Sequence, residues 1–191
     1  MFFNRATIST KKLFSINESI KPAPKYQAEK LPLQRAVQIL KRHRDIMFQG
    51  DIDKPISIII TTLSGRSYNG EENIVDAIKN IISNMHLHIV EKYDPNLNRR
   101  IKYIANPVNE EENFADKWVK HPKRETNFYK WLKQVRIDFD SILSKTQGLQ
   151  FINESMQKPF GESLTTKTFS SYGTNKLEQR KQGELKVAAV T

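Results

Sequence analysis

The chain has 191 residues, 31 Lys plus Arg against 21 Asp plus Glu, and a formal net charge of +10. That length suits one ordinary domain at the usual ~100–200 residues per domain, and 38% hydrophobic residues leave a thinner core than the ~45–50% of an average globular chain. With no cysteine there is no disulfide framework, thiolate metal site or cysteine nucleophile; with no run of ~20 apolar residues and no signal-like N-terminus, the expected location is the cytoplasm, without a membrane partner.

The charge is uneven. Residues 1–50 hold ten basic and three acidic side chains, so most of the surplus lies between Arg5 and Arg44. Such a stretch either faces an anion or forms a solvated basic face. In chain order, residues 15–32, with Pro22, Pro24 and Pro32, read as a connector after a short N-terminal helix remnant. From Leu33 to Phe48, apolar Leu33, Ala36, Val37, Leu40 and Met47 recur at helical spacing, with Arg35, Lys41, Arg42 and Arg44 placed on the other faces and Gln49-Gly50 as the stop. The β-branched run Ile56–Leu63 reads as a buried strand on propensity alone, although periodicity does not settle it. A helix is predicted over Glu71 to about Lys92, with Glu71, Glu72 and Asp76 complementing its dipole. A short strand follows near 99–104, then a short acidic helix over Glu110–Val119 and a long one from Thr126 to about Lys145. Trp118, Phe128 and Trp131 are expected in the core, not as base-stacking platforms. Helices near 149–157 and 161–180 precede a tail, so the domain reading is a remnant and connector over 1–32, a helical lobe over 33–180 and a tail over 181–191.

The usual local signatures of chemistry are absent: there is no G-x-x-x-x-G-K-[ST], G-x-G-x-x-G, G-x-S-x-G or H-E-x-x-H. Two D-x-D patterns occur, at Asp51/Asp53 and Asp138/Asp140. A metal-holding pair of this kind stands on one face of a strand. The first pair falls in a turn; the second falls on a helix, where residues two apart point about 200° from each other. Both are therefore expected to be solvated carboxylates. His86 and His88 would suit one strand face, but the helical reading puts them at a half-exposed helix end.

Three segments carry a family likeness: LPLQRAVQILKRHRDIMF at Leu31–Phe48, DKPISIIITTL at Asp53–Leu63 and NPVNEEENFADKW at Asn106–Trp118. It continues through Pro159-Phe160-Gly161-Glu162 and from Tyr172-Gly173 to Gln179-Arg180. In this order they resemble the C-terminal half of bacterial cyclic-oligonucleotide synthases, relatives of animal cyclic GMP-AMP synthase and oligoadenylate synthase that act in anti-phage signalling. The resemblance implies a mainly α fold, the helical C-terminal lobe of a polymerase-β-like nucleotidyltransferase, with at most a short β element near 99–104. It also makes Ile56–Leu63 a buried helix against its β propensity.

Enzymes of this family carry a Gly-Ser turn, a D-x-D strand and a third Asp, which hold two Mg²⁺ ions. This sequence has no Gly-Ser dipeptide, so the resemblance implies a non-catalytic lobe, from a truncated or split protein, that binds no Mg²⁺ by itself and joins nucleotides only with the missing N-terminal catalytic half. What the resemblance leaves to this lobe is the triphosphate of an ATP- or GTP-type substrate, held by a helix-borne Lys and a Ser opening the next element. These match Lys41 and Ser57, with Arg42 and Arg44 as further cations; otherwise Lys41 is only the polar face of its helix and Ser57 only a cap. The alternative from the charge alone is a basic helical module for nucleic acid, although residues 33–47 interleave no aromatics for stacking.

Overall fold

The computed structural model describes residues 31–144 and 148–182. The N-terminal remnant, the connector as far as residue 30, six of the first ten cations and the tail from residue 183 lie outside the described residues. Among the described residues the fold is mainly helical, with seven helices and one two-stranded sheet.

Helix α1, Pro32–Phe48, opens with proline at its first position, where a missing N–H costs nothing. Leu31 N–H donates to Gln34 Oε1 at 3.1 Å. The helix ends at Gln49, whose φ of 38° is left-handed, and Gly50 continues the turn at φ 95°. Its buried stripe is Ala36, Val37, Leu40, His43 and Arg44. Placing Arg44 on a solvent face therefore needs correction: it is 5% exposed.

The Ile56–Leu63 run is helical, as the family likeness implies and propensity alone does not, within α2, Ser57–Ser67. Ile59, Ile60 and Leu63 are fully buried there. Burying each contributes ~1.5–3 kcal/mol, which outweighs helix-propensity deficits of a few tenths of a kcal/mol for each β-branched residue. Two hydroxyls fold back on the helix, Thr61 to Ser57 O at 2.8 Å and Ser67 to Leu63 O at 2.9 Å.

Helix α3, Ile74–Asn84, is shorter than the predicted Glu71–Lys92. Asn73 Oδ1 accepts the Asp76 N–H at 2.9 Å and fixes the start. That leaves Glu71 before the helix, where it accepts from Asn80. At the other end the chain tightens into a 3₁₀ turn, Met85–His88, and enters a hairpin of β1, Val90–Asp94, and β2, Arg99–Tyr103. Val90 pairs with Tyr103 and Asp94 with Arg99. Cross-strand pairing satisfies the backbone that a longer helix would have used.

The predicted acidic helix over Glu110–Val119 is mostly a loop, with only Asp116–Lys120 helical (α4). The reason is asparagine chemistry: short amide side chains offer the backbone partners outside a helix. Asn113 Oδ1 accepts from Ile104 N and Ala115 N, both at 2.9 Å, and its Nδ2 donates to Lys102 O at 3.0 Å. Asn106 Oδ1 and Asn109 Oδ1 accept from Val108 N and Glu111 N. The Asn-rich segment of the family likeness is thus a hydrogen-bonded clasp between β2 and α4.

Helix α5, Pro122–Leu143, carries Phe128, Trp131, Leu132 and Val135 into the core. Trp118 stacks 5.5 Å from Phe128, which lies 5.9 Å from Trp131, so all three aromatics are core residues as expected. Helices α6, Leu149–Phe160, and α7, Glu162–Lys181, meet at Gly161 with φ 91°. A Cβ there would stand 3.1 Å from Arg42 Nη2 and 3.2 Å from Ile46 Cδ1, so the corner needs glycine for both conformation and space. Helix α1 is central, packing on α2, α3, α5 and α6.

Candidate functional site

Arg44 organises the corner between α1 and α2. Its Nε and Nη2 donate to Asp45 Oδ1 at 3.1 and 2.9 Å, and its Nη1 donates to Pro55 O and Ser57 Oγ, both at 2.9 Å. A guanidinium has donors and no acceptor, and its planar fork suits this set. Asp45 also accepts from Lys54 Nζ at 2.9 Å. Burial alone would raise the Asp45 carboxyl, but the bonds from Lys54 and Arg44 outweigh it and hold the group below its ordinary value. One carboxylate therefore serves two cations.

Lys41 lies one turn before Arg44 on the same helix and is half-buried. Asp45, four residues on, is committed to Arg44 and Lys54, and Lys41 has no side-chain hydrogen bond or ion pair among the described residues. Ser57 is the first residue of α2, an end with no side-chain cap and no acidic residue in its first turn. Such a terminus presents unpaired N–H groups and the positive end of the helix dipole. Ser57 is thus tied to α1 through Arg44, at a helix start without a side-chain cap, while Lys41 stands on α1 without a side-chain ion pair among the described residues.

The weaker cation candidates separate. Arg44 is buried and serves Ser57, whereas Arg42 turns to the α6–α7 corner and donates from Nε to Phe160 O at 3.1 Å. Arg44 was legible as a core position, since Ala36, Leu40 and Arg44 recur every fourth residue.

In the two D-x-D pairs, three of the four carboxylates are engaged by other side chains and are not simply solvated. Asp51 and Asp53 meet Lys123 at 3.2 and 3.5 Å, and Asp53 also accepts from Arg124 Nε at 3.2 Å. A hydrogen bond from the Asp53 N–H, with help from Lys123, lowers the Asp51 carboxyl below its usual range. Asp138 accepts from His43 Nε2 at 2.9 Å and Gln134 Nε2 at 3.0 Å, leaving Asp140 exposed. Among the described residues no group of three or more His, Cys, Asp or Glu is placed to hold a metal ion. His86 instead meets Arg136 Nη2 at 3.1 Å.

His43 escaped the sequence reading. It is 1% exposed, packs edge-on against Phe160 at 5.9 Å, and has a buried Nδ1 without a partner. Burial pushes its imidazole below the ordinary value despite the Asp138 carboxylate. It borders a cleft of about 320 Å³ with Asp138, Gln134 and Lys158. A second, apolar groove of about 430 Å³ lies between Ile39, Phe139, Met156 and Phe169. Neither is lined by Lys41 or Ser57.

No family model matches the sequence. The chain is, however, 34% identical over 157 residues to a protein named c-di-GMP synthase from Roseivirga ehrenbergii. The match covers 82% of this chain and 40% of that relative, so the chain spans well under half of the curated protein it resembles. It is therefore similar to part of a cyclic-dinucleotide synthase. Among the described residues no helix is long and apolar enough to cross a membrane.

Proposed function

We propose that this chain is the triphosphate-holding, C-terminal part of a nucleotidyltransferase that makes cyclic oligonucleotide second messengers in cytoplasmic anti-phage defence. The likeness to a c-di-GMP synthase supports the class of reaction. The observation that carries the reading is the start of α2, without a side-chain cap or an acid in its first turn, where the Ser57 hydroxyl is held by Arg44; Lys41, without an ion pair among the described residues, is the cation assigned to it. A triphosphate carries about four negative charges, and an ammonium, a hydroxyl and helix N–H groups together satisfy its oxygens. Held this way, an ATP- or GTP-type substrate would have its α-phosphate oriented for attack by a hydroxyl of a second nucleotide, with pyrophosphate leaving.

The Mg²⁺ of the full-length reaction does not fit these residues, because Asp51, Asp53 and Asp138 are engaged by Lys123, Arg124, His43 and Gln134. The catalytic carboxylates would come from the N-terminal half. Purified chain with all four nucleoside triphosphates and Mg²⁺ is expected to yield no oligonucleotide; product would overturn the non-catalytic assignment.

Titration calorimetry tests the site itself. Lys41→Ala should weaken ATP binding about tenfold or more, the size of one charge-assisted contact. Equal affinity in the variant would remove Lys41 from the site. Tighter, steeply salt-dependent binding of DNA or RNA than of ATP would favour a nucleic-acid module instead.

A further inference from the structure

Ser57 is an ambiguous hydrogen-bonding group: a hydroxyl carries one proton and two lone pairs, and rotation decides which way the proton points. Arg44 removes the ambiguity. Its Nη1 can only donate, so at 2.9 Å the Ser57 Oγ must accept. The same nitrogen reaches Pro55 O at 2.9 Å, and the other side of the guanidinium is pinned by Asp45. Four hydrogen bonds and 5% exposure thus fix the donor in place. With a lone pair committed inward, the Ser57 proton has no acceptor among the described residues.

We infer that Arg44 is a positioning residue, which acts through Ser57 by forcing its hydroxyl to donate outward to an anionic oxygen. The inference rests on the triphosphate site proposed above and adds how that site is set before ligand arrives. Arg44 does not touch the ligand. Its guanidinium is held by Asp45, which it shares with Lys54, and its remaining donors point to Pro55 O and Ser57 Oγ, so its contribution is directional where that of Lys41 is electrostatic. An unconstrained serine at the first position of a helix would sample other rotamers; here one lone pair is committed before binding and the positions open to the proton are reduced.

A double-mutant cycle read by calorimetry with inorganic tripolyphosphate and with ATP tests this on the full 191-residue chain. Arg44→Lys keeps the charge but loses the fork. It is expected to weaken tripolyphosphate binding about threefold to tenfold, and Ser57→Ala by a similar factor. The double variant should bind no more weakly than Ser57→Ala alone, because Arg44 has nothing left to orient. Ser57→Thr, which retains the hydroxyl, should restore most of the affinity. Arg44→Met should lose at least as much as Arg44→Lys; should it fail to fold, the lysine variant decides. If Arg44→Lys costs as much in the Ser57→Ala background as in the wild type, or costs nothing, the positioning role is overturned while the site stands. If the wild-type chain binds no tripolyphosphate, or Lys41→Ala changes nothing, the site itself fails.

Discussion

Two arginines of α1 each hold a corner of the chain by bonding a backbone carbonyl, and the corners differ in what remains unmatched. Arg42 reaches Phe160 O at the α6–α7 corner, and Arg44 reaches Pro55 O at the opening of α2. At the first corner the dipole of α7 meets an acid in its own first turn, Glu162, and glycine closes the backbone against Ile46. At the second, α2 has neither side-chain cap nor acid in its first turn, and the Ser57 proton has no acceptor among the described residues. An arginine staple by itself is therefore a structural device. The second staple ends instead on an exposed serine whose oxygen accepts from the guanidinium.

The comparison breaks most readily at the Arg42 corner, where substitutions should cost stability and spare nucleotide binding. Phe160→Ala removes an aromatic that packs on His43 and Phe139 at 5.9 and 5.8 Å. It should cost ~3–5 kcal/mol in urea unfolding, with ATP affinity unchanged in the folded fraction. Gly161→Ala strains a residue at φ 91° and crowds Arg42, for ~1–3 kcal/mol by the same measurement. A large loss of ATP affinity in either variant would merge the two corners into one site.

The next test concerns His43, whose folded imidazole lies below its ordinary value because it is buried. The unfolded chain takes up this proton first on acidification, so the stabilisation is complete above pH ~6.5 and falls as pH drops from there toward the depressed folded value. Urea midpoints at pH 7.5 and 5.5 should show that decline in the wild type and a flatter profile in His43→Gln. The smallest effect belongs to the exposed ion pairs: Lys123→Met should leave the urea midpoint nearly unchanged, because solvent screens such a pair.

Much of the fold was legible because α1, α5, α6 and α7 show helical spacing or clear breakers, and the short strand near 99–104 was bounded by turn signals. What misled were segments where partners overrule local preference. Ile56–Leu63 prefers strand until burial of Ile59, Ile60 and Leu63 is counted, and only the family likeness supplied that context. The start of β1, as far as Lys92, falls inside the predicted helix because the stripe ending at Met85 gives no hint that β2 will pair with the residues after it. The Glu110–Glu112 run has helical composition, but the bonds of Asn106, Asn109 and Asn113 depend on a loop not visible in periodicity. At the candidate site, Lys41 and Ser57 were named through the likeness, and Arg44 was counted only as a further cation. Its buried role depends on Asp45 and Pro55 O, and the four-residue stripe places it inward without saying what it meets.

The bond from Arg42 to Phe160 also has a consequence for synthesis. It joins residues 118 apart in the sequence, and the same distant phenylalanine covers His43. Contacts so far apart are intrinsically late in folding. A nascent chain emerging from the ribosome would carry Arg42 and His43 without this cover until α6 has cleared the exit tunnel. Cover of this face of α1 thus comes with the docking of Phe160, not with the formation of the first helix.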